Sequence, residues 1–189
     1  MPIPLIQNID SNNFTDDNMD QLINEEKSYD TFYLAEQVHQ NIPLLNKEQL
    51  LIYNEIIQAV NNSSGCFFVD GPAGTGKTFL YNTLLADIRS HGNIAIAIAS
   101  SGIAALLMNG GRTAHSRFKI PFKIDEFSTC GISHNSKLAR LINETKLFIW
   151  DEAPMTHKFV FETVNQTFQD IIQTNKPFGE KVFVFEEDF

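Results

Sequence analysis

The sequence predicts a three-layer α/β domain on a mostly parallel sheet, and three observations carry that expectation. From Leu44 onward, short apolar runs that read as buried strands alternate with segments of helical spacing. One strand-to-helix junction is rich in glycine, and a later strand ends in two adjacent carboxylates. Strands separated by helices pair in parallel through right-handed crossovers, which covers both faces of the sheet with helices.

The elements follow in order. Residues 1–40 are assigned to an acidic leader, and residues 41–189 to the domain. Residues 1–30 are rich in Asn and Asp with little periodicity, so they are expected to be disordered or loosely packed. Residues 30–40 have the spacing of a short amphipathic helix, and Pro43 marks the boundary. Asn46 with Gln49 three residues later reads as a capped start for a helix carrying Leu50, Leu51, Ile56, Ile57 and Val60. Residues 66–69 form the first expected strand, and residues 78–90 a helix stopped at His91-Gly92. A second strand is expected at 93–99, then a helix at 102–108 ending in Asn109-Gly110-Gly111. The third strand is placed at 147–150, a helix at 159–174 and the fourth strand at 181–185.

Composition supports a complete core. With 189 residues, 43% hydrophobic, and 2 Cys, the chain buries enough surface to fold without a disulfide framework. Collagen-like, disulfide-scaffold and wholly disordered classes are excluded. The net charge of −9 argues at first against a nucleic-acid partner. Residues 1–40, however, hold eight acids and one base, and residues 186–188 three acids, which leaves 41–185 at +1. Charge therefore excludes nothing. The lone Cys66 and Cys130 fit reduced thiols inside a cell. No basic leader of a secretory signal and no run of ~20 apolar residues occurs, so a soluble intracellular protein without a membrane partner is expected.

Gly71-Pro72-Ala73-Gly74-Thr75-Gly76-Lys77-Thr78 fits GxxxxGK[ST] between a strand and a helix. Glycines let consecutive N–H groups point at phosphate oxygens, and the helix start adds its positive dipole end. Lys77 is expected on the β- and γ-phosphates and the Thr78 hydroxyl on Mg²⁺. Asp151 and Glu152 follow the third strand, at the end that opens on the same crevice. Asp151 is placed to hold Mg²⁺ and Glu152 to polarise the attacking water. A Glu directly after that Asp, with no Asn-Lys-x-Asp guanine motif in the chain, favours ATP.

Residues 110–123 contain Arg112, His115, Arg117, Lys119 and Lys123, no acid, and the interleaved Phe118 and Phe122. Two readings stand open. The run is a single-stranded nucleic-acid track with phosphate contacts and base stacking, or a solvated basic loop with both phenylalanines packed inward.

GPAGTGKT, SGIAALLMNGGRTAHSRFKIP and IWDEAPM, in this order, resemble the PIF-type DNA helicases of superfamily one, most closely their Helitron-like eukaryotic branch. The resemblance implies a P-loop NTPase of RecA-like fold, with ATP-driven five-prime to three-prime unwinding. It also implies roles in telomere maintenance, repair and recombination, and a nuclear location. By the same resemblance Ser101, Gly102, Thr113, His115 and Phe118 lie along single-stranded DNA, and Gln49 reads the adenine edge. Arg112, Arg117 and Lys119 join that track as its basic members.

Departures from the family pattern set further expectations. PFGGK and GGDFRQ of the family stand here as Pro177-Phe178-Gly179-Glu180-Lys181 and Phe185-Glu186-Glu187-Asp188-Phe189. A second RecA-like domain with its arginine fingers is not among these residues, and such a finger is worth about 10³–10⁵ in rate. The chain is therefore expected to bind Mg²⁺-ATP, hydrolyse it slowly and not unwind duplexes. The alternative is a remnant that binds Mg²⁺-ATP and single-stranded DNA without unwinding. Another P-loop class, such as a nucleotide kinase, leaves the middle segment unexplained.

Overall fold

The computed structural model describes residues 21–72, 74–153 and 156–187. In chain order the elements are α1 (Gln21–Lys27), α2 (Thr31–Asn41), α3 (Lys47–Asn62), β1 (Gly65–Asp70) and α4 (Lys77–Ser90). They continue through β2 (Ile94–Ala99), α5 (Gly102–Leu107), β3 (Arg112–Thr113), α6 (Ala114–Phe118) and α7 (Lys137–Glu144). The last three are β4 (Thr145–Asp151), α8 (Lys158–Ile172) and β5 (Val182–Glu187). The sheet has five strands in the order β1-β5-β4-β2-β3, every neighbouring pair parallel. All strand C-termini thus open on one edge.

Side-chain alternation divides the two faces by size. Ile94, Ile96, Ile98, Phe148, Trp150, Phe183 and Phe185 point to one side, where they pack with α6, α7 and α8. Ala95, Ala97, Ala99, Leu147, Ile149, Val182 and Val184 point to the other, under α3, α4 and α5. The small face lets α4 lie close, burying Leu80, Leu84 and Leu85 almost completely. The large face is an aromatic layer in which Phe118 meets Phe168 edge-on at 5.3 Å and Phe148 stacks on Phe183 at 4.7 Å.

The capped start of α3 forms as the sequence predicts. Gln49 N–H donates to the Asn46 side chain at 2.9 Å, and Asn46 N–H donates to Gln49 Oε1 at 3.0 Å. The expected strands and the helices at 78–90, 102–108 and 159–174 are present with small boundary shifts. The two-residue β3, the short α6 and α7 add to the expected list.

The leader differs from its expectation in its second half. Residues 1–20 lie outside the described residues, but α1 is a packed helix rather than loose chain, and α2 is the short amphipathic helix expected at 30–40, docked on the domain rather than loosely attached. Ile23 of α1 enters the aromatic-side core, and Leu34 and Val38 of α2 close over Ala86 of α4. The Asp30 side chain accepts from Tyr33 N–H at 3.0 Å and caps α2. Two or three apolar side chains per helix suffice to dock a segment whose composition is otherwise polar. Among the described residues no helix is long and apolar enough to cross a membrane.

Candidate functional site

The phosphate loop joins β1 to α4. Gly74 at φ +84° and Gly76 at φ +82° both occupy the left-handed region, which favours glycine. Gly76 is doubly constrained, because a Cβ there would meet Gln49 Nε2 at 2.8 Å. Gln49 Nε2 donates to the carbonyls of Thr75 at 2.9 Å and Gly76 at 3.3 Å, so the start of α3 braces the loop. Ala73 lies outside the described residues. Lys77 Nζ curls back to donate to the carbonyls of Gly71 and Pro72. Thr78 follows, half-buried, in the first turn of α4.

Two strands away, β4 ends at Asp151, which is buried. Asp151 Oδ1 accepts from Glu152 N–H at 2.9 Å. Glu152 itself has φ +53°, a conformation uncommon outside glycine and concentrated at functional sites. Its carboxylate accepts a hydrogen bond from Ser101 Oγ at 2.7 Å. Between the loop and these acids runs β5, whose Glu186 pairs in register with Val69 of β1. Glu186 Oε1 stands 3.4 Å from Lys77 Nζ.

The residues fit a magnesium nucleotide. The left-handed glycines open the loop backbone, Lys77 supplies a nearly buried cation, and Thr78 and Asp151 carry oxygen atoms of the kind that Mg²⁺ takes. Mg²⁺ asks for little more, since it is ordinarily held by one or two side chains plus phosphates and water. A cleft of about 210 Å³ beside the loop is lined by Asn46, Gln49, Asp70, Gly71, Thr75 and Lys77.

A second, larger groove of about 620 Å³ lies near the same edge. Ser100, His115, Phe122, Lys123, Thr156, His157 and Phe159 are among its walls. Phe122 is 99% exposed. The His157 side chain caps α8, and its ring lies 5.0 Å from that of Phe159. A cation with aromatic faces beside it is the chemistry that holds a phosphodiester and stacks a base.

A family model described as PIF1-like helicase matches residues 44–189. The chain belongs to the PIF1-like helicase family. A relative, the ATP-dependent DNA helicase Pif1 of Psychrobacter sp. (strain PRwf-1), is 36% identical over 124 residues, covering 65% of this chain and 19% of that protein. The ATP-dependent DNA helicase PIF1 of Homo sapiens is 28% identical over 148 residues, covering 78% of this chain and 22% of that protein. Bacteroides Pif1 bound to ssDNA superposes with a TM-score of 0.64 at 30% identity, over 76% of this chain and 32% of that one. Pif1 from Bacteroides in complex with ADP-AlF3 and ssDNA gives 0.63 at 28% identity, over 76% of this chain and 32% of that one. The chain thus spans about a fifth of the length of these curated relatives and about a third of the solved chains. Its α/β fold is that of the RecA-like Pif1 helicases.

Within this PIF1-like domain the residues expected along DNA divide. His115 faces the large groove, and Gly102 borders open space. Arg112 and Lys119 line a different depression, with Ser116, Ser136 and Lys137. Thr113 caps α6, accepting from Ser116 N–H at 3.4 Å. Ser101 is turned toward Glu152. Two expectations need correction. Arg117 is 5% exposed and donates to Glu26 of α1 at 2.5 Å, so its charge is spent inside the protein. Phe118 is fully buried in the aromatic layer and offers no face for a base. Of the alternatives left open for the basic run, inward packing holds for Phe118 and fails for Phe122, which is exposed. Gln49, expected at the adenine edge, has its carboxamide engaged by Asn46, Thr75 and Gly76.

Sequence reasoning did not assign Ser100, Thr156, His157 or Phe159 to the site. His157 carried a readable sign, since it stands at the start of a helix just after the Asp-Glu pair.

Proposed function

We propose that this chain is the first motor domain of an ATP-dependent DNA helicase. It binds Mg²⁺-ATP at the phosphate loop and single-stranded DNA in the groove of His115, Phe122, Lys123 and His157. The observation that carries the reading is that phosphate loop, Asp151-Glu152 pair and groove gather near the C-terminal edge of one parallel sheet. The Bacteroides relatives bound to ssDNA and to ADP-AlF3 support both ligand classes.

The residues divide the work. Loop N–H groups and Lys77 hold the phosphates, while Thr78 and Asp151 would hold Mg²⁺, which when bound neutralises charge on the phosphates. The Glu152 carboxylate orients the attacking water and accepts its proton. A second RecA-like domain is not among these residues, so slow hydrolysis and no unwinding are expected of the chain alone. In the whole helicase, unwinding would run five-prime to three-prime, in keeping with the resemblance.

ATP hydrolysis with and without single-stranded DNA tests the reading, with Lys77→Ala and Glu152→Gln as comparisons. Stimulated turnover lost in both variants supports it. Turnover unaltered by Lys77→Ala overturns the phosphate-loop assignment. In parallel, Lys123→Ala should weaken oligothymidylate binding and reduce its salt slope by about one.

A second reading, a module that holds nucleotide without turnover, is favoured by the Glu186 carboxylate beside Lys77. Nucleotide bound with no hydrolysis at any DNA concentration would select it.

A further inference from the structure

Glu152 is held at three points. Its N–H donates to Asp151 Oδ1, its carbonyl accepts from Ser100 Oγ at 2.7 Å, and its carboxylate accepts from Ser101 Oγ at 2.7 Å. Ser101 Oγ also accepts from Ala104 N–H at 3.2 Å, so its rotamer is set by the first turn of α5. The Ser100 hydroxyl has one hydrogen and two lone pairs. With its hydrogen given to Glu152, the 2.5 Å contact to Thr156 Oγ1 makes Thr156 the donor. The second lone pair accepts from Trp150 Nε1 at 3.2 Å. With these three partners the hydroxyl is saturated.

Ser100 and Thr156 are also walls of the groove, beside His115, Lys123 and His157. A chain lying there meets the Ser100 hydroxyl, whose bond holds the Glu152 carbonyl, and the Thr156 hydroxyl bonded to it. From this juxtaposition we propose that Ser100 and Ser101 are positioning residues: Ser101 aims the Glu152 carboxylate, and Ser100 transmits the presence of a strand in the groove to it. The inference rests on reading Glu152 as the water-activating base and the groove as the single-strand site. A base held by a third group is a recurring catalytic arrangement. Here the holding group and the strand sensor are adjacent residues at the end of β2.

Trp150 makes the relay observable. It is the only tryptophan of the chain, is fully buried, and bonds Ser100 directly. The test titrates the whole chain with labelled oligothymidylate. It follows anisotropy for binding, Trp150 emission for the relay, and single-turnover ATP hydrolysis for Glu152. Strand binding is expected to shift Trp150 emission and speed hydrolysis, and Ser100→Ala to remove the shift and bring the stimulated-to-unstimulated ratio to one. Ser101→Ala is expected to slow hydrolysis about tenfold, the worth of a hydrogen bond to a charged group, without changing affinity for a non-hydrolysable ATP analogue. Ser101→Thr, which keeps the hydroxyl, restores the rate, whereas a loss from misfolding would not be rescued.

Anisotropy that reports binding while Trp150 emission and the hydrolysis rate stay still overturns the relay and leaves the groove intact. Flat anisotropy overturns the groove reading instead, and the coupling with it. An undiminished rate in Ser101→Ala overturns the orienting role. Emission decides the coupling however slow turnover is.

Discussion

The Glu186 carboxylate lies 3.4 Å from the Lys77 ammonium, with both side chains less than a tenth exposed. Glu186 stands at the end of β5, between the strand that feeds the phosphate loop and the strand that ends in Asp151. A triphosphate must take the same ammonium and tolerate the same carboxylate. Removing that charge frees the ammonium and takes a like charge away from the phosphates, so Glu186→Gln should tighten binding of an ATP analogue by about tenfold, or about 1.4 kcal/mol. A fluorescent-nucleotide titration checks this. Equal affinity in the two proteins would mean that Glu186 swings aside without cost.

Arg117 and Glu26 form a buried pair that joins α6 to α1 across 91 positions. Removing one partner leaves an uncompensated buried charge, which costs about 3–5 kcal/mol. Arg117→Ala should therefore lower the melting temperature markedly, while the salt slope of oligothymidylate binding at temperatures where the protein is folded stays as in the parent. A reduced slope would restore Arg117 to the DNA track.

Glu180 has φ +63°, next to Gly179 at φ +65°. A side chain in this region costs about 1–2 kcal/mol. The gains against that cost are the exposed ion pair with Lys176, worth about 0–1 kcal/mol, and the lower unfolded-state entropy of a non-glycine residue. Glu180→Gly should raise stability by about 0.5 kcal/mol, or 1–2 °C in melting temperature for a chain of this size. Calorimetry of the two proteins decides it, and a lower melting temperature would show that these gains outweigh the strain.

Burial, aided by the nearby Lys146, pulls the Lys181 ammonium down to about 8. Its ordinary value is 10.5, so between about pH 8 and 10.5 the unfolded chain holds a proton that the folded chain has released. Stability contributed by this group rises with pH through that window and is flat below it. Lys181→Met should remove the rise, leaving the parent less stabilised relative to the variant at pH 7.5 than at pH 9.5. Parallel urea titrations at the two pH values supply the comparison.

Local chemistry made much of this legible in advance. The Asn46-Gln49 capping box, the left-handed glycines of the phosphate loop and the Asp151-Glu152 strand end each depend on residues within a few positions of one another. What sequence could not reveal depends on distant partners. Arg117 reads as a DNA contact until Glu26 is found beside it, and Phe118 reads as a stacking surface until Phe148, Trp150 and Phe168 close around it. The basic run also loses its unity, because His115 of α6 lines one depression while Arg112 of β3 and Lys119, just after α6, line another. Five residues of helix are enough to undo a stripe that looked continuous along the chain.

The strand order gives these groups a spatial sequence unlike their covalent one. Along the chain the ends of interest come at Asp70, Ala99, Asp151 and Glu187, but across the sheet they run β1, β5, β4, β2. With strands roughly 4.8 Å apart, the phosphate-loop strand and the strand bearing the two serines are separated by three spacings, about 14 Å. Glu186 and then Asp151-Glu152 stand on the strands between them. The sheet edge is therefore a keyboard of adjacent keys, in which a ligand at either end reaches the other by sideways steps of one strand each.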